Sequence, residues 1–334
     1  MIRPLLGPVL FVVLGVALGV GLNDFREAVA PAHDMERLRF QRMLDHADKV
    51  RALAAGSSHS LAIDFKGVEV PGYHVWSLGQ DFFELETQLR WLLPRLPALE
   101  VVLMDISWGS FHRDNGACTD PERGMARRKF YATSPGYGRI ASDAGEWFKG
   151  VMTSQLVTED HWRDVFFTLI DKLQGKTRGQ PQYRDMLHPD GRIMGMTPGR
   201  PKTNEWLADE ARHVSLPRHE RLQANMLENN PHIEEQAMAC FGRILDLIEE
   251  RGLRLVVYIP PLHPAYIEGF DAETRDATLR NMQHFVDTRG VEFYDFSQDK
   301  AFIHHPEFFS NSDHLSAEGA LRFSRARIRP LLKE

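Results

Sequence analysis

The apolar positions of this chain gather into short, nearly unbroken runs, separated by stretches in which they recur every three or four residues. The runs are Val50–Ala55, His74–Leu78, Leu99–Ile106, Leu253–Ile259 and Val291–Phe296. Runs of this length suit strands covered on both faces. Phe82–Leu93, Ile233–Glu250, Thr274–Thr288 and Leu315–Leu332 carry the helical spacing. Punctuation agrees with these bounds: Gly252 follows Arg251, Gly290 ends a helix, and Pro260-Pro261 stops a strand. Strands alternating with helices predict a three-layer α/β fold, a parallel sheet with helices on both faces.

The rhythm breaks in two places. Residues 107–230 are rich in Gly, Pro, Arg and His, with one clear helical pattern near Trp162–Leu173, and read as a long insertion after the third strand. A connection of that length is far outside ordinary loop lengths and is a common carrier of functional loops. At the other end, Pro4–Leu22 has no charged residue. Its length matches the about 20 apolar residues that span a bilayer core. Arg3 before it and Asp24 after it orient the N-terminus toward the cytoplasm and the remainder outside. A cleaved signal peptide is the alternative, but its apolar core is ordinarily about 7–15 residues. The only small-residue site nearby, Ala28-Val29-Ala30, comes late and precedes Pro31. The expected organisation is an anchor over residues 1–24, a stalk helix over 25–48 and one α/β domain over 49–334.

Composition narrows the classes. A net charge of −6 with scattered Lys and Arg leaves no nucleic-acid footprint. Cys118 and Cys240 are the two cysteines, with no CxxC or Cys/His zinc spacing, so no metal or cofactor is expected. In an exported domain the two thiols are able to pair, although isolated cysteines are commonly unpaired core or loop residues.

Candidate chemistry sits where strands end, the edge at which open α/β sheets build their sites. Gly56-Ser57-Ser58-His59-Ser60 follows the first strand, Gly79 follows the second, and Asn311-Ser312-Asp313-His314 precedes the last helix. A serine hydroxyl becomes a nucleophile when a histidine takes its proton, and that histidine needs an acceptor on its other nitrogen. Ser58 and His314 are the candidate pair, with Asp313 or Asn311 as the acceptor. The simpler reading makes Gly56-Ser57-Ser58 a tight turn and Ser312 or Asp313 a helix cap. His59 and His263, the latter in Pro260-Pro261-Leu262-His263-Pro264, are candidate substrate contacts, with a structural turn as the alternative for His263.

These blocks resemble those of the SGNH (GDSL-type) hydrolases over most of residues 48–334. Gly56-Ser57-Ser58-His59-Ser60 is similar to the first block, with Ser58 at the nucleophile position. Ser77-Leu78-Gly79 is similar to the second, whose glycine donates to the oxyanion. Asp313-His314-Leu315 with Gly319 is similar to the fifth, which carries the catalytic histidine. The chain departs from the pattern at Ser57, where the family has Asp, and at Asn311, where it has the acid three residues before the histidine. The third-block Asn has no counterpart, Asp105-Ile106-Ser107 standing at that strand end with Asn115 nearby. The resemblance implies a flavodoxin-like sheet, an acyl-enzyme on Ser58, and an oxyanion hole from the N–H groups of Ser58 and Gly79. It is strongest to membrane-anchored, extracytoplasmic members linked to O-acetylation of exopolysaccharides and D-alanine transfer onto wall polymers. That implies an esterase or acyltransferase on the periplasmic side of the inner membrane. Its substrate is a carbohydrate polymer or acyl ester, and a membrane acyl-donor or export protein is its partner. A non-catalytic scaffold or polysaccharide-binding subunit is the rival.

Overall fold

The computed structural model describes residues 35–120, 188–192 and 202–333. The apolar segment 4–22 and the helical pattern at 162–173 lie outside the described residues. Among the described residues, no helix is long and apolar enough to cross a membrane. The chain divides into two compact units, and the one formed by residues 39–124 and 187–334 holds the sheet and all that follows.

Five parallel strands build that sheet: β1 (Ala52–Gly56), β2 (Gly72–Trp76), β3 (Val101–Asp105), β4 (Arg254–Ile259) and β5 (Glu292–Asp295). Their order is β2-β1-β3-β4-β5. This is the doubly wound order of flavodoxin-like folds, and its topological switch falls between β1 and β3. The period of two along each strand divides the core between two faces. Leu53, Ala55, Val102, Met104, Val257 and Ile259 join one apolar cluster, while Ala52, Ala54, Val101, Leu103, Val256 and Tyr258 join the other.

Helices cover both faces. α1 (Met35–Leu44), α2 (Phe82–Leu92), α5 (Ile233–Glu249) and α7 (Ala272–Arg289) contribute Phe40, Phe82, Phe241 and Phe285 to the first cluster. α8 (Ala317–Phe323) brings Phe323 to the second. The start of α2 is fixed by a capping box in which Asp81 accepts from the Glu84 N–H and Glu84 reaches back to Asp81. The packed unit begins before the expected boundary at 48, because Phe40 and Met43 are buried in the core.

The insertion also supplies regular structure. α3 (Asn204–Glu210) runs through a π-helical turn at Ala211–Ser215 into α4 (Leu216–Asn229). Its sequence is polar on most sides and carries Pro217, which hid it from periodicity. Pro217 closely follows the π-helical turn, where the regular hydrogen-bond ladder is already interrupted. Beyond β4, α6 (Pro264–Gly269) follows His263, and a two-stranded antiparallel pair, β6 (Phe309–Asn311) and β7 (His314–Leu315), precedes α8. Cys118 and Cys240 are both free thiols.

Candidate active site

The nucleophile turn begins where β1 stops. Gly56 has φ +126°, a conformation that side chains rarely adopt, and a Cβ there would collide with the Asp105 carboxylate. The chain then enters a 3-10 turn at Ser58–Ala62, capped by the Ser57 hydroxyl, which accepts from the His59 N–H at 3.2 Å. As the first residue of that turn, Ser58 has no acceptor for its N–H within it. Asp105, at the end of the neighbouring β3, receives both the Ser57 hydroxyl at 2.6 Å and the Ser57 N–H at 3.3 Å. Burial pushes the Asp105 carboxyl up to about 7, against the lowering effect of its bonds from Ser57. This contact was not legible in the sequence, although Asp105 stood at the right strand end.

The histidine turn comes from the far end of the chain. The β6–β7 turn bends so tightly that Asn311, Asp313 and His314 converge. Ser58 Oγ lies 2.7 Å from His314 Nε2. On the opposite side of the ring, His314 Nδ1 lies 2.7 Å from Asp313 Oδ1 and 3.0 Å from Asn311 Oδ1. An Nδ1–H shared by these two oxygens leaves Nε2 as the acceptor for the serine proton. Burial opposes ionisation of the Asp313 carboxyl, but the charge and hydrogen bond of His314, joined by those of His59, hold it well below the usual carboxylate range. Burial likewise works to lower His314, yet Asp313 outweighs it, with Asp105 and Glu210 adding, so the imidazole is raised.

Two further histidines face the same carboxylate. His59 Nε2 lies 3.6 Å from Asp313 Oδ2, and its ring sits 4.6 Å from that of His314. Burial, with the His314 charge adding, lowers the His59 pKa. His219, on α4, lies 3.8 Å from Asp313 Oδ2 and pairs its Nδ1 with the Tyr266 hydroxyl at 2.6 Å. His59, Asp313 and His314 have ligand atoms within 4.8 Å of one another, close enough to hold a metal ion. Both His314 nitrogens are engaged by Ser58 and Asp313, so this group is already spent on a serine–histidine–carboxylate chain.

The turn is held from the insertion. Glu210 accepts from the Ser312 N–H at 2.9 Å through Oε2 and from the Ser215 hydroxyl at 2.6 Å through Oε1. No local signal marked Glu210, which lies 102 positions upstream of Ser312. His263 belongs to the same support. It is buried, its Nδ1 caps α6 by accepting from the Ala265 N–H at 3.3 Å, and its own N–H donates to the Ser312 carbonyl at 2.9 Å. The proline-rich turn orients it inward, which is the structural alternative for that motif.

Gly79 completes the edge with φ +61°. Asn115 Nδ2 donates to the Gly79 carbonyl at 3.0 Å and to Glu84 at 3.0 Å, so it secures the glycine loop and is not itself presented to the site. Ser58, Gly79 and His314 line a small cavity of about 50 Å³. A wider cleft of about 310 Å³ shares Ser58 and His314 with it and is bordered by Leu61, Arg192 and Asn311. A serine hydroxyl on a histidine whose other nitrogen meets a carboxylate, beside a small cavity also lined by Gly79, is an arrangement that acyl transfer can use. No protein-family model and no curated protein matches the chain.

Proposed function

We infer that this protein is an SGNH-type serine esterase or O-acyltransferase. The observation that carries the reading is the chain Ser58 Oγ–His314 Nε2 at 2.7 Å and His314 Nδ1–Asp313 Oδ1 at 2.7 Å. Ser58 attacks an ester carbonyl while His314 takes its proton. Asp313 keeps the imidazole in the correct tautomer and stabilises the imidazolium, with Asn311 as a second acceptor. The N–H groups of Ser58 and Gly79 receive the developing oxyanion. Collapse expels the alcohol, which takes the proton back from His314 and leaves an acyl group on Ser58. A second hydroxyl, from water or from an acceptor, repeats the sequence and frees the enzyme.

The wide cleft suits a bulky alcohol or acceptor such as a carbohydrate chain. The resemblance supports an exopolysaccharide or cell-wall polymer as that substrate. The uncharged segment 4–22 supports a single-pass anchor in the inner membrane, with the domain on the periplasmic side near an acyl-donor or export protein. The test is hydrolysis of p-nitrophenyl acetate together with labelling by a fluorophosphonate. Both activities are expected in the wild type and both disappear in Ser58→Ala; an unlabelled, inactive wild type would leave the non-catalytic scaffold as the reading.

A further inference from the structure

The small cavity beside Ser58 has a cation in its wall that the serine chemistry does not use. Arg113 lies in the loop after β3, one position past the 3-10 turn Ser110–His112. Burial lowers its pKa. The charges of Tyr266, Asp81, Asp105 and Glu84 reach it, yet among the described residues none closes a hydrogen bond or ion pair with it. The acids around it are committed elsewhere. Asp81 receives the N–H groups of Glu84 at 2.8 Å and Asn115 at 2.7 Å. Glu84 receives the Asn115 amide at 3.0 Å, and Asp105 receives Ser57. A guanidinium has five N–H donors, and Arg113, which is partly buried, presents them beside the nucleophile without a counter-charge.

Arg113 lines the same cavity of about 50 Å³ as Ser58 and Gly79, with Arg218 and His219 in the same wall. It also lines a second cavity of about 30 Å³, again with His219, and with Gly109, Gln223 and Tyr266. The only carboxylate in either lining is Asp313, which is engaged by His314. The cavity of about 50 Å³ is far smaller than the cleft of about 310 Å³. That suits a short acyl group in the first and a sugar in the second.

The geometry points to Arg113 as the anchor for a carboxylate on the acyl half of the substrate, so that the preferred esters are half-esters of short dicarboxylic acids. This rests on the serine-esterase reading for the ester, but the anion site stands on its own residues. The planar guanidinium fork matches a carboxylate in two parallel hydrogen bonds, and the low-dielectric cavity strengthens them. A neutral acetyl group leaves those donors unfilled.

The full chain is assayed on p-nitrophenyl acetate and on the mono-p-nitrophenyl ester of succinic acid, with thermal unfolding followed in succinate and in neutral succinamide. The wild type should favour the succinate ester in kcat/KM. Arg113→Met should shrink that preference by about tenfold or more, as expected for loss of a charge-assisted pair, and Arg113→Lys should retain part of it. Succinate should raise the wild-type midpoint by about 2–4 °C near saturation, succinamide should not, and Arg113→Met should abolish the rise. Equal ester preference in wild type and Arg113→Met with no succinate effect overturns the assignment. An equal fall in kcat on both esters in Arg113→Met also overturns it, because that places the arginine on the oxyanion. If neither ester is turned over but succinate still stabilises through Arg113, the esterase reading falls and the anion site stands.

Discussion

The two turns that meet at the candidate centre are built in opposite ways. The nucleophile turn is an extension of the sheet. It leaves β1 through a glycine at φ +126° and is fastened to Asp105 on the adjacent strand, within a region buried on both faces. The histidine turn is a short antiparallel pair outside the main sheet, fastened by a side chain that reaches in from the insertion, Glu210, and by the backbone of His263. The difference teaches that Ser58 is positioned by the core of the fold, whereas His314 is positioned by segments outside the main sheet. Damage to the supports of the first turn should show first in stability, and damage to those of the second should show first in activity.

The largest effect belongs to the atoms where the turns meet. Ser58→Ala and His314→Ala should each reduce ester turnover by about 10³-fold or more, and the double variant should be no worse than either, because the residues act as a unit. Steady-state hydrolysis of p-nitrophenyl acetate checks this. Additive losses would separate the two turns chemically.

Next is the acid. Asp313→Asn should lower kcat by about 10²–10⁴-fold, the range that follows from losing the correct tautomer and the imidazolium partner. Asn311→Ala should cost about tenfold or less, since the remaining carboxylate still holds Nδ1. The pH profile gives the sign. With neutral His314 as the proposed base and its pKa raised by Asp313, activity should fall as pH drops through a value above that of ordinary histidine. In Asp313→Asn that acid limb should move to lower pH. A limb that stays in place would make Asn311 the principal partner.

Glu210→Gln probes the outer support alone. It replaces a charged acceptor of the buried Ser312 N–H with a neutral one. A fall in kcat of about tenfold is expected, with a stability loss no larger than about 1–3 kcal/mol. Asp105→Asn probes the inner support and should have the smallest effect on turnover at neutral pH, because a carboxyl titrating at about 7 already carries its proton much of the time. Its signature is in stability. The folded Asp105 keeps its proton up to about 7 while the unfolded side chain releases it near 3.8, so this group makes stability fall as pH rises between those values. Urea midpoints of Asp105→Asn should lack that fall.

Much of this comparison could be read before the structure, and the unread part has one cause. The runs at β1, β3 and β4 are apolar on both faces, so they stand out without partners, and the turns at Gly56, Gly79 and Gly290 mark their neighbours. Ser58 and His314 were legible because each lies in a short local motif. Asp313 was harder: side chains adjacent in sequence commonly diverge, and only the tight β6–β7 turn brings its carboxylate onto the ring beside it. Asp105 was marked only by its place at a strand end, and Glu210 and Arg113 not at all. Their roles arise from contacts made across 48 and 102 positions in the first two cases, and in the third from the acids around Arg113 being occupied by other donors. Periodicity also missed α3 and α4, whose mostly polar faces dilute the apolar stripe.

The central claim is that the two turns meet to activate Ser58. Intact-mass and peptide analysis after brief exposure to a fluorophosphonate tests it most directly. The account predicts a single adduct on the peptide bearing Ser58, lost in Ser58→Ala and formed far more slowly in His314→Ala. An adduct on another serine, or labelling of Ser58 at the same rate without His314, would contradict it.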